Sequence, residues 1–336
     1  MYKIAIVGLG PAGIFTLALL PPELLPHTVV FESGAVGGAL ATSYGSVVAN
    51  ITKAVIESAL RSVPRWSELS FPHLEKYAAD ACPLLNDAIR QLRDLIVPDL
   101  TLANFHTQQV QDFEYFPHRR IWQLKTSGKL FETQKLILCT GAVVRTMDLP
   151  KPQIPLPIAL DPVQIQKFVS PRDRIVVFGT AHSGTLVLRN LRDAGVPSLT
   201  GVYKGATPFQ YARDGYSEGI KAESAAIADD LLANKWASLV NLDDFSATYR
   251  AVEKASFVVY AIGFERPTAS YLIDGVRRAF FEGGGTADID KNVWGFGIGY
   301  PSSYTGPDGK SYPDVGFGGF VSAIKAALPS MLTFAP

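Results

Sequence analysis

The sequence predicts an α/β protein in which one strand–turn–helix unit is interrupted by a second. Two observations predict this fold class. The glycine-rich turns Gly8–Gly13 and Gly179–Gly184 each follow a short apolar run and precede a segment with helical character. A strand, a glycine turn and a helix in that order are the fingerprint of a dinucleotide-binding βαβ unit. Two such units in one chain of 336 residues predict two bound dinucleotides.

The first unit begins with the apolar run Tyr2–Val7, which suits a parallel strand buried on both faces. Its glycines let the backbone approach a pyrophosphate, and the helix Ile14–Leu20 offers free N–H groups at its start. The strand His27–Phe31 then leads to Glu32, which lies about 20 residues past the last glycine, where an acid binds a ribose hydroxyl. We therefore expect these residues to bind a cofactor: Gly8, Gly10, Pro11, Ala12, Gly13, Glu32 and Ser33.

The second unit has the strand Arg174–Phe178 before its turn and the helix Thr185–Ala194 after it. Its pattern is degenerate, because Ala181 and Ser183 stand where glycine or variable residues are expected and the first two glycines are not both present. The next strand, Ser198–Tyr203, is followed by Lys204. The residues expected to bind the second dinucleotide are Gly179, His182, Ser183, Gly184 and Lys204.

Lys204 indicates which nicotinamide nucleotide the second unit binds. It also lies about 20 residues past the last glycine of its turn, where we expect the equivalent of Glu32. An acid there favours a free ribose 2′-hydroxyl and a base accommodates a 2′-phosphate, so the sequence favours NADP(H) over NAD(H). The alternative is a solvated lysine at a strand end. Arg213 is a second candidate cation.

Two further β-rich runs end in a small residue and a glycine that can cross close to a cofactor. Lys135–Leu138 leads to Thr140 and Gly141, and Ser256–Tyr260 leads to Ile262 and Gly263. Between them, Pro150–Pro157 is proline-rich and reads as an extended connector. We therefore expect an outer domain formed by residues 1–155 and 264–336, with an inserted nucleotide-binding domain at residues 156–263.

Composition excludes several classes of function. The chain has 31 basic and 31 acidic residues, which gives no indication of nucleic-acid binding. Cys82 and Cys139 form no CxxC pair, and the five histidines show no metal-ligand spacing, so we expect neither a redox disulfide nor a metal. The uncharged stretch Ile4–Leu20 is interrupted by glycine and proline and falls short of the ~20 apolar residues that span a bilayer. We expect a cytoplasmic protein without a membrane segment.

Together, the turn Gly8–Gly13, Glu32, the pair Gly37-Gly38, the Thr140-Gly141 ending and the second glycine turn resemble the flavoproteins with two dinucleotide-binding domains. These form the pyridine nucleotide-disulfide oxidoreductase superfamily. The resemblance implies an FAD-binding Rossmann-like domain with an inserted NAD(P)-binding Rossmann-like domain, and FAD and NADP(H) as cofactors. Gly37 and Gly38 would then contact FAD.

Within that superfamily, the segment Tyr44–Lys53 looks like the part of flavin-containing monooxygenases that carries an asparagine and a lysine at this spacing. The resemblance places Asn50 beside the flavin as the catalytic polar group. A neutral amide can donate a hydrogen bond to a flavin hydroperoxide without acting as an acid. The alternative is that Asn50 caps a helix at Ile51–Leu60. Lys53 either contacts cofactor phosphate or lies in the first helical turn.

Two more residues are expected at the flavin cofactor. Val110, in the strand His106–Phe113, would offer a backbone contact to adenine, as the equivalent strand does in such flavoproteins. Gly316 begins a helix whose terminus could approach the flavin ring, where its positive dipole stabilises an anionic, reduced ring. The alternative is a flexible loop over Gly295–Gly319.

The sequence therefore predicts a flavin monooxygenase that uses NADPH and oxygenates a nitrogen or sulfur centre of a small molecule through a peroxyflavin, with molecular oxygen as co-substrate. Two features depart from the family pattern: the stretch Leu156–Val169 lacks the expected glycine and histidine, and His182 replaces an asparagine. Two alternatives stay open. One is a thioredoxin-reductase-like NADPH:acceptor reductase without a redox disulfide, and the other is a non-catalytic FAD-binding sensor. A homodimer is left open.

Overall fold

A computed structural model describes residues 1–209, 219–282, 285–306, 309 and 311–334, without the side chains of 219–222. The strands are β1 (Tyr2–Val7), β2 (Thr28–Phe31), β3 (Asn104–His106), β4 (Asp112–Phe116), β5 (Ile121–Lys125), β6 (Leu130–Leu138), β7 (Val143–Val144), β8 (Arg174–Phe178), β9 (Ser198–Tyr203), β10 (Ser238–Asn241), β11 (Phe257–Tyr260), β12 (Phe264–Glu265), β13 (Ser270–Ile273), β14 (Val276–Ala279), β15 (Ala287–Asp288), β16 (Val293–Gly295), β17 (Ser302–Thr305) and β18 (Ser311–Asp314).

The α-helices alternate with these strands as expected for an α/β protein. They are α1 (Pro11–Leu19), α2 (Gly38–Thr42), α3 (Lys53–Arg61), α4 (Leu85–Leu102), α5 (Leu156–Leu160), α6 (Pro162–Ile165), α7 (His182–Asp193), α8 (Gly219–Asn234), α9 (Phe245–Lys254) and α10 (Phe317–Met331). Short 3₁₀ helices cover Pro22–His27 and Pro64–Trp66.

The outer domain is built on a large mixed sheet with strand order β14–β13–β4–β5–β6–β1–β2–β3. Strands β3, β2, β1 and β6 run parallel, and β16 continues the parallel sheet beside the carboxyl-terminal half of β6. Strand β2 is buried along its whole length, as expected for a parallel strand covered on both faces. Helix α1 packs against the sheet with all of Ala12–Leu19 buried.

The inserted domain has its own parallel sheet, with strand order β10–β9–β8–β11. The predicted strands Arg174–Phe178 and Ser198–Tyr203 have the bounds of β8 and β9. Helices α5, α7 and α8 contribute to a separate apolar core that includes Leu160, Leu188 and Leu231. The fold class predicted from the sequence, one Rossmann-like unit inserted in another, is confirmed.

Two short antiparallel strands, β7 and β12, connect the domains, with Val144 opposite Phe264. The proline-rich segment after β7, expected to be only an extended connector, also pairs with the inserted sheet. Its residue Gln153 pairs with Val258 of β11, and Ile154 is buried in the core of the inserted domain. The inserted sheet therefore recruits chain that precedes residue 156.

Candidate cofactor and active site

The first glycine turn is held in place by the backbone of neighbouring strands. The N–H of Gly8 donates to the Phe31 carbonyl at 2.8 Å, and Gly8 has a φ of +95°. A β-carbon on Gly8 would overlap the Cys139 carbonyl oxygen, and one on Gly13 would overlap the Gly8 carbonyl oxygen. These two glycines are therefore required by the fold itself.

Gly10 lies in a different environment. A β-carbon there would meet nothing closer than the Gly37 carbonyl oxygen, at 4.0 Å. Gly10 precedes α1, and among the described side chains none caps the start of that helix. The space above Gly10 and the free N–H groups of the first turn form a cradle that an added side chain would fill. A pyrophosphate fits this donor set.

The predicted pair Gly37-Gly38 closes the other side of this cradle. The Gly37 N–H donates to the Leu9 carbonyl at 2.8 Å, and a β-carbon on Gly38 would stand 3.1 Å from the α-carbon of Gly10. The turn before α2 therefore packs directly on the turn before α1. Both predicted glycine segments contribute to one site.

Glu32 lies at the end of β2 with 7% of its surface exposed. Its Oε2 accepts a hydrogen bond from the Leu9 N–H at 2.6 Å, and its Oε1 accepts one from the Gly34 N–H at 2.9 Å. The carboxylate thus joins the end of β2 to the glycine turn. Ser33, next in the chain, is exposed. A carboxylate oxygen has further acceptor capacity for a ribose hydroxyl.

The second glycine turn repeats the geometry of the first. The Gly179 N–H donates to the Val202 carbonyl at 2.8 Å, and a β-carbon on Gly179 would overlap the Ala261 carbonyl oxygen. A β-carbon on Gly184 would overlap the carbonyl oxygen of Gly179. Ser183 lies in the first turn of α7, which has no side-chain cap among the described residues. The degenerate sequence therefore repeats the backbone geometry of the first turn, with Ala181 in the position of Gly10.

His182 begins α7, and its carbonyl oxygen accepts hydrogen bonds from Thr185 Oγ1 at 2.8 Å and Ser224 Oγ at 3.2 Å. These bonds tie the second turn to α8. The predicted residues Ile262 and Gly263 follow β11. Ile262 packs against a second apolar cluster of the inserted domain, which includes Phe178 and Tyr260, and the Gly263 carbonyl accepts from the Arg145 N–H at 3.0 Å.

The strand register corrects one prediction about Lys204. Val7 pairs with Phe31 in the first unit, and Phe178 pairs with Val202 in the second. The structural equivalent of Glu32 is therefore Tyr203, and Lys204 lies one residue further on. The rounded spacing of about 20 residues from the last glycine therefore placed the equivalent of Glu32 one position too late. Lys204 is exposed at the carboxyl end of β9, and Arg213 lies outside the described residues.

Asn50 lies at the end of a segment that crosses between the domains. Tyr44 packs its ring against Phe264 at a centroid distance of 6.1 Å, Val47 is buried in the inserted core, and Ala49 is buried in the outer core. Asn50 itself is exposed and has no hydrogen-bond partner among the described residues. Its amide is therefore available at the junction of the two domains.

Asn50 does not cap the following helix, so that alternative is wrong. Helix α3 begins at Lys53, and the Thr52 hydroxyl accepts a hydrogen bond from the Val55 N–H. The sequence analysis placed the helix start too early because both asparagine and threonine are good caps. Lys53 lies in the first turn, where its Nζ donates to the Tyr77 carbonyl at 3.1 Å and lies 3.7 Å from Glu57 Oε1. These contacts favour the structural role for Lys53.

Val110 lies in the irregular segment between β3 and β4 rather than in a continuous strand. Its side chain packs against the aromatic core around Phe31. This places it beyond the end of β3, two strands away from the first glycine turn. The predicted adenine contact remains a proposal at that position.

Thr140 and Gly141 follow β6 and meet a segment that the sequence analysis did not assign to the site. Thr140 Oγ1 and the Tyr300 hydroxyl are 3.3 Å apart, and a β-carbon on Gly299 would overlap the Gly141 carbonyl oxygen. The Arg266 guanidinium lies 4.7 Å from the Tyr300 ring centre, and its Nε donates to the Gly299 carbonyl at 2.9 Å. In the sequence, the feature that could have indicated this close packing is the alternation of glycines at Gly295, Gly297 and Gly299.

Gly316 caps the start of α10 with extended backbone. The Asp314 carboxylate lies directly against Gly319 in the first turn of that helix, too close to admit a β-carbon. Phe317 contacts Phe15 of α1 edge-to-face, with ring centres 5.7 Å apart. The start of α10 therefore packs on α1 in the outer domain, and the contact of Gly316 with the flavin stays a prediction.

The described residues were also compared with the predictions about cysteines, metal ligands and membrane-spanning helices. Neither Cys82 nor Cys139 forms a disulfide, and burial raises the pKa of the Cys139 thiol to about 12. No group of three or more His, Cys, Asp or Glu side chains among the described residues is placed to hold a metal ion. No helix in the described part of the chain is long and apolar enough to cross a bilayer.

Comparisons with known proteins agree with this geometry. A search of protein-family models found no match. The chain is 27% identical to "Monooxygenase AgnR1" of Paecilomyces divaricatus, over 97% of each chain. It resembles the flavin-containing monooxygenase of Stenotrophomonas maltophilia with a TM-score of 0.63, 14% identity and 98% coverage of both chains.

Two further solved structures have the same architecture. The bacillithiol disulfide reductase of Bacillus cereus matches with a TM-score of 0.63 and 14% identity, and the "OTEMO complex with FAD and NADP" with a TM-score of 0.59 and 12% identity. Each match covers 98% of both chains. The chain therefore has the two-domain fold of the pyridine nucleotide-disulfide oxidoreductases, which thioredoxin-reductase-like proteins and flavin monooxygenases share.

Proposed function

We propose that this protein is an FAD-dependent, NADPH-using monooxygenase that oxygenates a nitrogen or sulfur centre of a small molecule. The observation that carries the flavin assignment is the open space above Gly10, framed by Gly37-Gly38 and the uncapped start of α1. No contact among the residues that the structure describes requires a glycine at residue 10, whereas a bound pyrophosphate would. The monooxygenase relative supports oxygen as the acceptor.

In this proposal the outer domain binds FAD and the inserted domain binds NADPH. The first glycine turn and Glu32 would bind the FAD pyrophosphate and ribose, and the uncapped start of α7 at His182 and Ser183 would face the NADPH pyrophosphate. When bound, the flavin supplies hydride acceptance and oxygen activation. Asn50, exposed at the domain junction, would donate a neutral hydrogen bond beside the flavin.

The experiment that tests this function is reduction of the purified protein by NADPH without oxygen, followed by rapid mixing with oxygenated buffer. We expect a yellow protein whose flavin is bleached by NADPH and is reoxidised through a long-lived, blue-shifted absorbance. An added amine or sulfide would shorten that phase and become oxygenated. Fast reoxidation without the long-lived, blue-shifted absorbance, with electrons reaching a quinone or protein acceptor, would indicate the reductase alternative. A flavin that NADPH does not bleach would indicate the sensor.

A further inference from the structure

Asn50 lies between two backbone anchors on one neighbouring segment of chain. Just before it, the Ala49 N–H donates to the Pro83 carbonyl at 2.8 Å. Just after it, the Lys53 N–H donates to the Ala81 carbonyl, also at 2.8 Å. The exposed amide is thus carried on a short stretch of backbone whose two ends are fixed.

Tyr77 reinforces both of these anchors. Its hydroxyl accepts a hydrogen bond from the Leu84 N–H at 3.2 Å, and Leu84 pairs with Val48 just ahead of Asn50. Its carbonyl accepts a hydrogen bond from Lys53 Nζ at 3.1 Å, at the start of α3. A single residue therefore holds the chain on both sides of Asn50.

Tyr77 is itself fixed by a buried carboxylate in the first turn of α4. Its hydroxyl donates to Asp87 Oδ2 at 2.6 Å, and Lys76 Nζ lies 2.9 Å from the same oxygen. Burial raises the pKa of the Asp87 carboxyl, but the hydrogen bonds from Tyr77 and Lys76 outweigh that effect, so the pKa is lowered overall. A hydrogen bond to a charged carboxylate is stronger than one between neutral groups, so the phenol has a well-defined orientation.

The hydroxyl of Tyr77 has both its donor and one of its acceptor positions occupied by protein groups. Its role is therefore positioning and not catalysis. A hydrogen-bond donor stabilises developing charge only when it is held in the correct geometry before the reaction, and a small displacement weakens it steeply.

We propose that Tyr77 positions the Asn50 amide for the oxygenation step, an inference that rests on the proposed function. The first glycine turn and the inserted domain are not touched by these contacts of Tyr77. Loss of the Tyr77 hydroxyl should therefore leave FAD binding and hydride transfer intact and impair only the step in which Asn50 would act.

The test measures how fast the long-lived, blue-shifted absorbance decays after reduced holoenzyme is mixed with oxygen. Tyr77→Phe keeps the ring and removes the hydrogen bonds to Leu84 and Asp87. We expect it to retain FAD, to be reduced by NADPH within about twofold of the wild-type rate, and to show a decay about threefold faster.

A second background separates positioning from general stability. In Asn50→Leu, the added change Tyr77→Phe should not speed the decay further, because Tyr77 acts through that amide. Lys53→Met removes the other contact to Tyr77 and should speed the decay in the same way. It tests the inference whether or not Tyr77→Phe folds.

His73→Ala is the matched control. The Nε2 atom of His73 lies 2.7 Å from Asp94 Oδ2, so this side chain also holds the segment that carries Tyr77 to α4. Its described side-chain contact does not reach the backbone around Asn50. The decay in His73→Ala should match that of the wild type.

Three results would overturn the inference while leaving the proposed function in place. They are an unchanged decay in either Tyr77→Phe or Lys53→Met, an equally fast decay in His73→Ala, and an equal further effect of Tyr77→Phe in the Asn50→Leu background. Wild-type protein without a long-lived absorbance would instead overturn the proposed function and this inference with it. That result is recognised before any variant is made.

Discussion

Gly8 packs so closely against Cys139 that a β-carbon at residue 8 would overlap the carbonyl oxygen of residue 139. Gly10, two residues further on, has open space instead. The first turn therefore contains two glycines that the fold requires, Gly8 and Gly13, and one, Gly10, that only the proposed pyrophosphate site requires. Substitution separates the two requirements.

Gly10→Val should abolish FAD binding while the flavin-free protein loses no more than about 1 kcal/mol of stability, the cost of a poor helix cap. Gly8→Val should instead destabilise the protein by about 2–5 kcal/mol, because the side chain is both overpacked and strained at positive φ. Flavin absorbance and chemical denaturation of both variants check this. A Gly10→Val protein that retains FAD at wild-type stoichiometry would refute the site.

Lys204→Ala should raise the KM for NADPH about tenfold and leave the KM for NADH within about twofold, because a charge-assisted bond to the 2′-phosphate is lost. Lys204 is exposed, so the thermal midpoint should not change. Steady-state kinetics with both nucleotides measure the effect, and Lys254→Ala, at the end of α9 in the same domain, is the control. Equal losses with both nucleotides would place Lys204 away from the phosphate.

Asn50→Leu should leave flavin reduction by NADPH within a few-fold of wild type and lower the ratio of product to NADPH consumed, with more hydrogen peroxide released. The reason is that the exposed amide would act after hydride transfer. Thr52→Ala, which removes the cap of α3, should cost about 1 kcal/mol and leave the ratio unchanged. Product, peroxide and NADPH are measured together. A fully coupled Asn50→Leu enzyme would end the catalytic assignment.

Lys135 predicts a pH dependence of stability. It is 3% exposed, and its Nζ donates to the carbonyls of Ser330 and Thr333 near the end of α10. Burial lowers the pKa of Lys135 to about 8 from 10.5. Between pH 8 and pH 10.5 Lys135 is more protonated in the unfolded chain than in the folded protein. The contribution of Lys135 to the free energy of unfolding therefore rises from about pH 8 to pH 10.5, and it is lost as the pH falls through 8.

The measurement is chemical denaturation of wild type and Lys135→Met across that pH range. The difference between the two curves isolates Lys135 from other groups, including Cys139, that titrate there. We expect the wild type to gain up to about 3 kcal/mol relative to the variant as pH rises. A pH-independent difference would contradict the lowered pKa.

The features that could be predicted from the sequence are those set by residues close together in the chain. The strands β1, β8 and β9 were predicted with their correct bounds, because continuous apolar runs next to glycine turns leave few alternatives. The two predicted glycine turns also have the same backbone hydrogen bond, from the first glycine of the turn to the end of the neighbouring strand. Long-range contacts were harder, since the packing of Gly299 on Gly141 joins segments that are distant in the chain.

One site detail needed the strand register. The rounded spacing of about 20 residues from the last glycine equated Lys204 with Glu32, and the pairing of Phe178 with Val202 moves that equivalence to Tyr203.

The antiparallel pairing of β7 with β12 brings together the two points at which the chain crosses between the sheets. The chain enters the insertion just after Val144 and returns just before Phe264, and these residues face each other across one ladder. A two-residue Asn-Gly turn could therefore join β7 directly to β12. An exchange of the inserted domain at this junction would also have to supply a new partner for Val47, because that side chain is buried in the inserted core.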